Sequence, residues 1–412
     1  MSYPPQQTVK RPIWVLSIIV FSQFAGTSLW FASNAVLGDL QAQWGLAGDA
    51  LGHMTSAVQF GFIMGTLTFA FFTIADQFSP RNVFFVCALL GAISNLGIYF
   101  FTDSYVSLLG FRFLTGFFLA GIYPVGMTIA AGWYRKGLGK ALGFLLGALV
   151  LGTAFPHLVR GLGQSIAWET VILTVSALAA LGGFAMLLFV PDGPYLPKGT
   201  KFDPKALAVI FREKLFRASA FGYFGHMWEL YTFWAFVPLL LVFYGAANAE
   251  INFNVSLWAF LIIAVGSLGC AVGGLISLKH GSAKVAFTQL SISGICCVIS
   301  PVMFYAPAPL FFAFLLVWGI TVVGDSPQFS ALNAQNAPRA FVGSALTIAN
   351  SIGFAITIVS IQLLNVLAEY LHPAYLFLPL TLGPILGLLS MAPLLRSSAK
   401  HSRQVQPAKS RL

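Results

Sequence analysis

TGFFLAGIYPVG at residues 115–126 is followed by RKGLGKAL at 135–142, and WGITVVGDSPQF at 318–329 is followed by RAFVGSAL at 339–346. Gly116, Gly121 and Pro124 recur as Gly319, Gly324 and Pro327 at an offset of 203 residues. Arg135, Gly139, Ala141 and Leu142 recur as Arg339, Gly343, Ala345 and Leu346 at an offset of 204. Small residues let helices approach closely, and a proline breaks the hydrogen-bond ladder where a neighbour can restore it. An ordered set of both, repeated at one spacing, predicts the same bent helix in each half of the chain.

Outward from these segments the chain is apolar, with 58% hydrophobic and 8% charged residues among 412, too few charges to coat a soluble globule. Apolar runs long enough to cross a bilayer recur throughout. The predicted spans are approximately 13–36, 50–75, 82–102, 105–132, 139–160, 168–190, 215–243, 255–278, 285–306, 308–332, 341–366 and 374–395. The runs are apolar on all sides and rich in Gly and Leu, which excludes a barrel of alternating strands. Gln23, Thr27 and Asn34 give the first span a polar face, and no small-residue cleavage site follows Lys10 and Arg11, so it reads as an uncleaved helix. Cys87, Cys270, Cys296 and Cys297 fall inside spans, where they read as small apolar residues and not as a disulfide frame.

The formal charge of +10 is a topology signal. With the amino terminus inside, Arg81, Arg135, Lys136, Lys140, the run from Lys198 to Arg217, Lys279, Lys284 and Arg339 are all cytoplasmic, and only Arg160 is outside. Nucleic-acid binding is thereby excluded. The expected organisation is a cytoplasmic tail (1–12), an N-terminal six-helix bundle (13–190), a cytoplasmic linker (191–214), a C-terminal six-helix bundle (215–395) and a basic cytoplasmic tail (396–412). Within the linker, Asp203 and Pro204 start a short interfacial helix with Leu207, Ile210 and Phe211 on one face.

Two similar halves joined by such a linker resemble the major facilitator superfamily, over nearly the whole chain. FTIADQFSPRN matches the family's loop signature at Asp76 and Arg81, with Ser79 in place of a Gly and Phe72 in place of the first Gly. GLISLKHGSAK, the second copy, keeps Gly274 and Gly281 but has Leu278 where the acid belongs. RFLTGFFLAG places Arg112 in the family's fourth-span arginine motif, whereas GALVLGTAFP lacks the Gly-Pro that closes the antiporter motif. The resemblance implies an all-α membrane protein of twelve transmembrane helices in two pseudo-symmetric bundles, with Asp76 and Arg81 as gating residues. It also implies alternating access by rocking of the two halves.

Ionisable groups at bilayer depth cost roughly 2.5–3.5 kcal/mol, so each requires a partner or a function. His226 and Glu229, three apart in the seventh span, share a helix face, and with Asp325 they are the proton-coupling candidates. Glu229 either carries the coupling proton or is satisfied by His226 or a tryptophan N–H. Arg112 either meets a substrate carboxylate, pairs with Glu229, or sits in a fixed structural pair. Asp325 either gates the inner mouth or caps a broken helix. Gln23, Thr27, Asn34, Tyr231, Trp234, Thr347 and Asn350 complete the substrate-binding candidates. No phosphate loop, HExxH, CxxC or dinucleotide fingerprint occurs, so no enzyme, ATP-driven pump, cofactor or metal is expected. The expectation is a monomeric, proton-coupled symporter of a small anionic or amphipathic solute in a bacterial inner membrane, both termini cytoplasmic. Efflux of amphipathic compounds and a non-transporting sensor are the alternatives.

Overall fold

The computed structural model describes residues 14–101, 104–134, 138–163, 166–195 and 203–397, with the backbone alone of residues 75–76 and 138–140. The expected tails, Arg135, Lys136 and Lys198, and the side chains of Asp76 and Lys140, lie outside the described residues. Among the described residues, eleven helices are long and apolar enough to cross a membrane, and Trp14–Thr27 is a shorter apolar helix at the position of the first span. They form an integral membrane protein of twelve spans in two six-helix bundles. The second to twelfth spans are Ala50–Phe71, Pro80–Phe100, Tyr105–Trp133, Leu138–Gly161, Trp168–Phe189, Lys214–Ala247, Val255–His280, Ser282–Met303, Ala308–Asn336, Arg339–Tyr370 and Pro373–Ser397.

The prolines of the repeat do what their chemistry requires. A proline lacks an N–H and collides with the carbonyl four residues earlier. The fourth span accordingly divides into Tyr105–Leu119 and Tyr123–Trp133, and the tenth into Ala308–Gly324 and Ser326–Asn336, with Pro124 and Pro327 in the first turn of each second piece. The glycines follow the same symmetry. A Cβ on Gly116 would collide with the Val58 carbonyl oxygen, and one on Gly319 with that of Ile262. Gly65 meets the Phe117 carbonyl as Gly269 meets that of Ile320. All four pairs of equivalent residues lie 203 or 204 positions apart. The second and fourth spans therefore touch backbone to backbone, and so do the eighth and tenth.

The first span departs from the expected uninterrupted helix over 13–36. It ends at Thr27 and resumes as Ala32–Ala35 and Leu37–Trp44. Thr27 Oγ1 donates to the Gln23 carbonyl at 2.8 Å and Ser28 Oγ to the Ala25 carbonyl at 2.6 Å, local bonds that compete with the ladder. The freed carbonyls of Leu29 and Trp30 accept from the guanidinium of Arg112.

The halves meet along two symmetry-related seams, the second span against the eleventh and the fifth against the eighth. At the end opposite the linker they are hydrogen-bonded together. Asn365 Oδ1 accepts from Gly52 N at 3.2 Å while its Nδ2 donates to the Asp49 carbonyl at 3.0 Å. Gln362 Nε2 donates to Ser56 Oγ at 2.7 Å, and Asn254 Nδ2 to the Gly161 carbonyl at 2.9 Å. Nearby, Arg160 grips Asp39 through two bonds of 2.9 and 3.0 Å and joins the fifth span to the first.

The linker is anchored at its start, where Trp133 Nε1 donates to the Pro191 carbonyl and Ser79 Oγ to Asp192. Its short helix is Ala206–Ile210, and it docks on the eleventh span, where Asp203 N donates to Ser344 Oγ. The buried face is Ala206 and Ile210, with Leu207 exposed, which corrects the expected face. The helix turns its small residue, not its leucine, toward the bundle.

Candidate functional site

Between the bundles lies an aromatic seam. Trp30 of the first span packs on Tyr231 of the seventh at 5.5 Å and stacks on Phe354 of the eleventh at 5.7 Å, while Phe62 of the second meets Phe354 at 4.4 Å. Beside it is a central cavity of about 20 Å³, roughly the room one water needs. Its wall combines Tyr123, Leu146 and Leu149 from the first half with Tyr223, Met227, Leu230, Tyr231, Trp234, Val323, Ser326 and Phe354 from the second. The sequence-derived candidates Tyr231 and Trp234 are in this wall. Tyr123, Met227, Ser326 and Phe354 were not singled out, because in a helix apolar all round nothing marks which face meets the other half.

The polar candidates of the first span sit elsewhere. Gln23 is fully buried with both amide atoms unpartnered, close against Gly126, and Thr27 spends its hydroxyl on its own helix. Asn34 Nδ2 donates to Thr55 Oγ1 at 2.8 Å, tying the first span to the second. Thr347 and Asn350 are half-buried on the eleventh span, outside the cavity wall. Arg81 is half-buried at the start of the third span, its Nε without a hydrogen-bond partner among the described residues.

Arg112 is fully buried and does not reach Glu229. Its two terminal nitrogens donate to the carbonyls of Leu29 and Trp30, so its partner is the broken backbone of the first span, while Nε has none among the described residues. A guanidinium, with five donors in a fixed fork, suits two adjacent carbonyls that have lost their helical partners.

Glu229 and His226 do share a face of the seventh span, but that face turns into the C-terminal bundle. Met227, Leu230, Tyr231 and Trp234 on the same helix take the cavity side. Glu229 accepts from Trp318 Nε1 at 2.7 Å, Ser293 Oγ at 3.0 Å and Cys297 Sγ at 3.4 Å, donors from the tenth and ninth spans. The tryptophan N–H anticipated for Glu229 is Trp318. Ser293 and Cys297, four apart on one helix, went unrecognised because a cysteine in a span reads as apolar; Cys297 here acts as a donor.

One helical turn closer to the linker end, His226 Nδ1 lies 2.7 Å from Asp325 Oδ1, and both side chains are buried. The approach is at ion-pair distance without hydrogen-bond alignment, and Asp325 Oδ2 has no partner either. Asp325 is the residue between the two pieces of the tenth span, next to the cavity-lining Ser326. Among the described residues, no three His, Cys, Asp or Glu side chains cluster so as to hold a metal.

Solved transporters share this architecture. The nucleoside transporter NupG, in an aspartate-to-alanine mutant, superimposes with a TM-score of 0.70 at 15% identity, covering 92% of this chain and 99% of that one. The proton:xylose symporter XylE, bound to 6-bromo-6-deoxy-D-glucose, gives 0.70 at 14% identity, covering 92% and 95%. Over 112 residues the chain is 33% identical to the inner membrane metabolite transport protein YdjE of Escherichia coli (strain K12), a stretch of 27% of this chain and 24% of that protein. That match spans about a quarter of the relative's length. The family model for the Major Facilitator Superfamily matches residues 16–361. The protein therefore belongs to the Major Facilitator Superfamily, and is a transport protein and not an enzyme.

Proposed function

We propose that the chain is a proton-coupled symporter that carries a small organic solute through the central cavity by rocking its two bundles. It acts as a monomer in a bacterial inner membrane with both termini cytoplasmic, its bundles being 13–190 and 215–395 and its linker 191–214. Asp76 and Arg81 gate the cytoplasmic side. The observation that carries the reading is Asp325: a buried acid whose near neighbour is His226, at the break of a helix that lines the cavity.

An ionised carboxylate away from water needs donors, and the one side chain that approaches Asp325 is an ill-aligned imidazole, where Glu229 has three side-chain donors. A proton arriving at the His226–Asp325 pair changes its charge and so the set of tenth-span conformations it favours. Ser326 and Val323 pass that change to the cavity wall. Glu229, fixed to the ninth and tenth spans, holds the frame against which the break moves. Of the three coupling candidates, the pair of Asp325 and His226 thus carries the role and Glu229 does not. The neighbours' printed names, a proton:xylose symporter and a nucleoside transporter, support coupled transport of small solutes.

The test is Asp325→Asn in proteoliposomes. Solute counterflow, which needs no gradient, is expected to persist, while accumulation driven by an inward proton gradient falls to the level of leak and its pH dependence flattens. Gradient-driven accumulation equal to the parent protein's would end the assignment. The aromatic wall favours one other reading, export of amphipathic compounds, which predicts that the same gradient drives solute out of the vesicles it otherwise fills.

A further inference from the structure

We propose that the solute is an uncharged ring compound bearing hydroxyl or carbonyl oxygens; this rests on the transporter reading above and names its substrate class. The cavity wall holds no acid and no base among its side chains apart from tyrosine. The ionisable groups buried nearby lie outside that wall and face partners of their own, although Asp325 Oδ2 and Arg112 Nε have none among the described residues. Arg112 holds the Leu29 and Trp30 carbonyls, Glu229 holds Trp318, Ser293 and Cys297, and His226 faces Asp325. A carboxylate or phosphate entering here would lose its water and meet no counter-charge, and so would an ammonium group.

The wall does offer hydrogen-bond donors. Trp234 is completely buried and its Nε1 has no partner among the described residues, an uncommon state for an indole N–H. Tyr123, Tyr223 and Tyr231 line the same cavity, and none of their hydroxyls makes a hydrogen bond among the described residues. Ser326 adds a further hydroxyl. Donors that lack acceptors select a ligand that brings oxygens, because a ligand without them leaves the groups unpaired.

Ring faces supply the remainder of the recognition. Tyr231 stands edge-on to Trp234 at 5.3 Å and tilted to Phe354 at 5.1 Å, leaving flat apolar surfaces for a ring once the seam parts. An aromatic cage of this kind also attracts organic cations. A cation, however, brings no acceptor for Trp234, and that unpartnered N–H decides between the two.

The experiment uses the purified full-length protein and matched probe pairs that differ by one ionised group. The pairs are uridine with uridine monophosphate, glucose with glucuronate, and phenyl glucoside with phenyl glucuronide; choline is the cation. Binding is read by thermal shift and transport by counterflow. At least one neutral member is expected to bind, its ionised partner at least about tenfold more weakly, and Trp234→Phe to weaken the neutral ligand by a further factor of about ten. An ionised member or choline binding as tightly as the neutral probes, no neutral probe binding, or full affinity in Trp234→Phe would each overturn the proposal. Should Trp234→Phe not purify as a folded species, Tyr231→Phe is read by the same criterion. A neutral ligand that binds but does not exchange ends the transport reading and leaves the site's chemistry intact. An anion that exchanges does the reverse.

Discussion

The fourth and tenth spans are the same broken helix, yet the chemistry around each break is different. Both carry a proline in the first turn after the break and a glycine pressed against a neighbouring carbonyl. In the first half the buried charge nearest the break is Arg112, about two turns before it, held by two backbone carbonyls. A guanidinium keeps its proton at any physiological pH, so the charge beside this break is constant. In the second half the buried charges are Asp325, His226 and Glu229, all of which can gain or lose protons. The backbone plan is common to both halves, whereas buried carboxyls occur only in the second among the described residues; the first has the buried His157 of the fifth span, away from its break. At the two breaks, then, the charge is fixed in the first half and titratable in the second, which is what the proposed coupling requires.

Removing the fixed charge breaks the comparison most severely. Arg112→Met leaves the Leu29 and Trp30 carbonyls of the first span without donors, and each hydrogen bond to a charged group is worth about 1.5–3 kcal/mol. The loss, measured by thermal unfolding of the purified protein, is expected to be at least about 3 kcal/mol, with Arg112→Lys little better because an ammonium lacks the fork. If Arg112→Met kept the parent's stability and lost only transport of an anion, Arg112 would be a substrate receptor and the first half would not be a fixed frame.

The shared backbone is tested by a paired substitution. Gly116→Ala and Gly319→Ala each drive a Cβ into a carbonyl oxygen, of Val58 and Ile262 respectively. Overpacking of this sort costs about 1–3 kcal/mol. Similar losses of stability in the two variants would show that the close crossings are equivalent in energy as well as in position. A large loss in one and none in the other would confine the symmetry to geometry.

How much of this was readable beforehand follows from the range of the forces involved. The bends of the fourth and tenth spans were legible because Pro124 and Pro327 act on their own helices. The break in the first span was not, since no proline or glycine marks Ser28–Phe31 and the partner that stabilises the opened carbonyls, Arg112, is more than 80 residues away. Tyr231 and Trp234 were legible as cavity residues, whereas Phe354 lies one turn beyond the polar candidate Asn350. The pairing of His226 and Glu229 on one face was correct, but the direction of that face was not readable. It depends on Trp318, Ser293 and Cys297, donors contributed by two other helices.

The smallest expected effect concerns how the two halves are held together. Asn365 of the eleventh span caps the start of the second span, accepting from Gly52 N and donating to the Asp49 carbonyl, and a Cβ on Gly52 would collide with it. The symmetry-related seam has one such bond, from Asn254 to the Gly161 carbonyl. Asn365→Ala removes two bonds that exist only while the far end is closed, so it destabilises the closed state and leaves the folded halves intact. At about 0.5–1.5 kcal/mol for each bond, the open population rises by about tenfold. Spin labels at Val106 and Tyr370, exposed positions on opposite halves, read this as growth of a longer-distance population. Asn254→Ala is expected to give about half the free-energy change. An unaltered distance distribution in Asn365→Ala would mean that packing along the seams, and not this cap, keeps the far end shut.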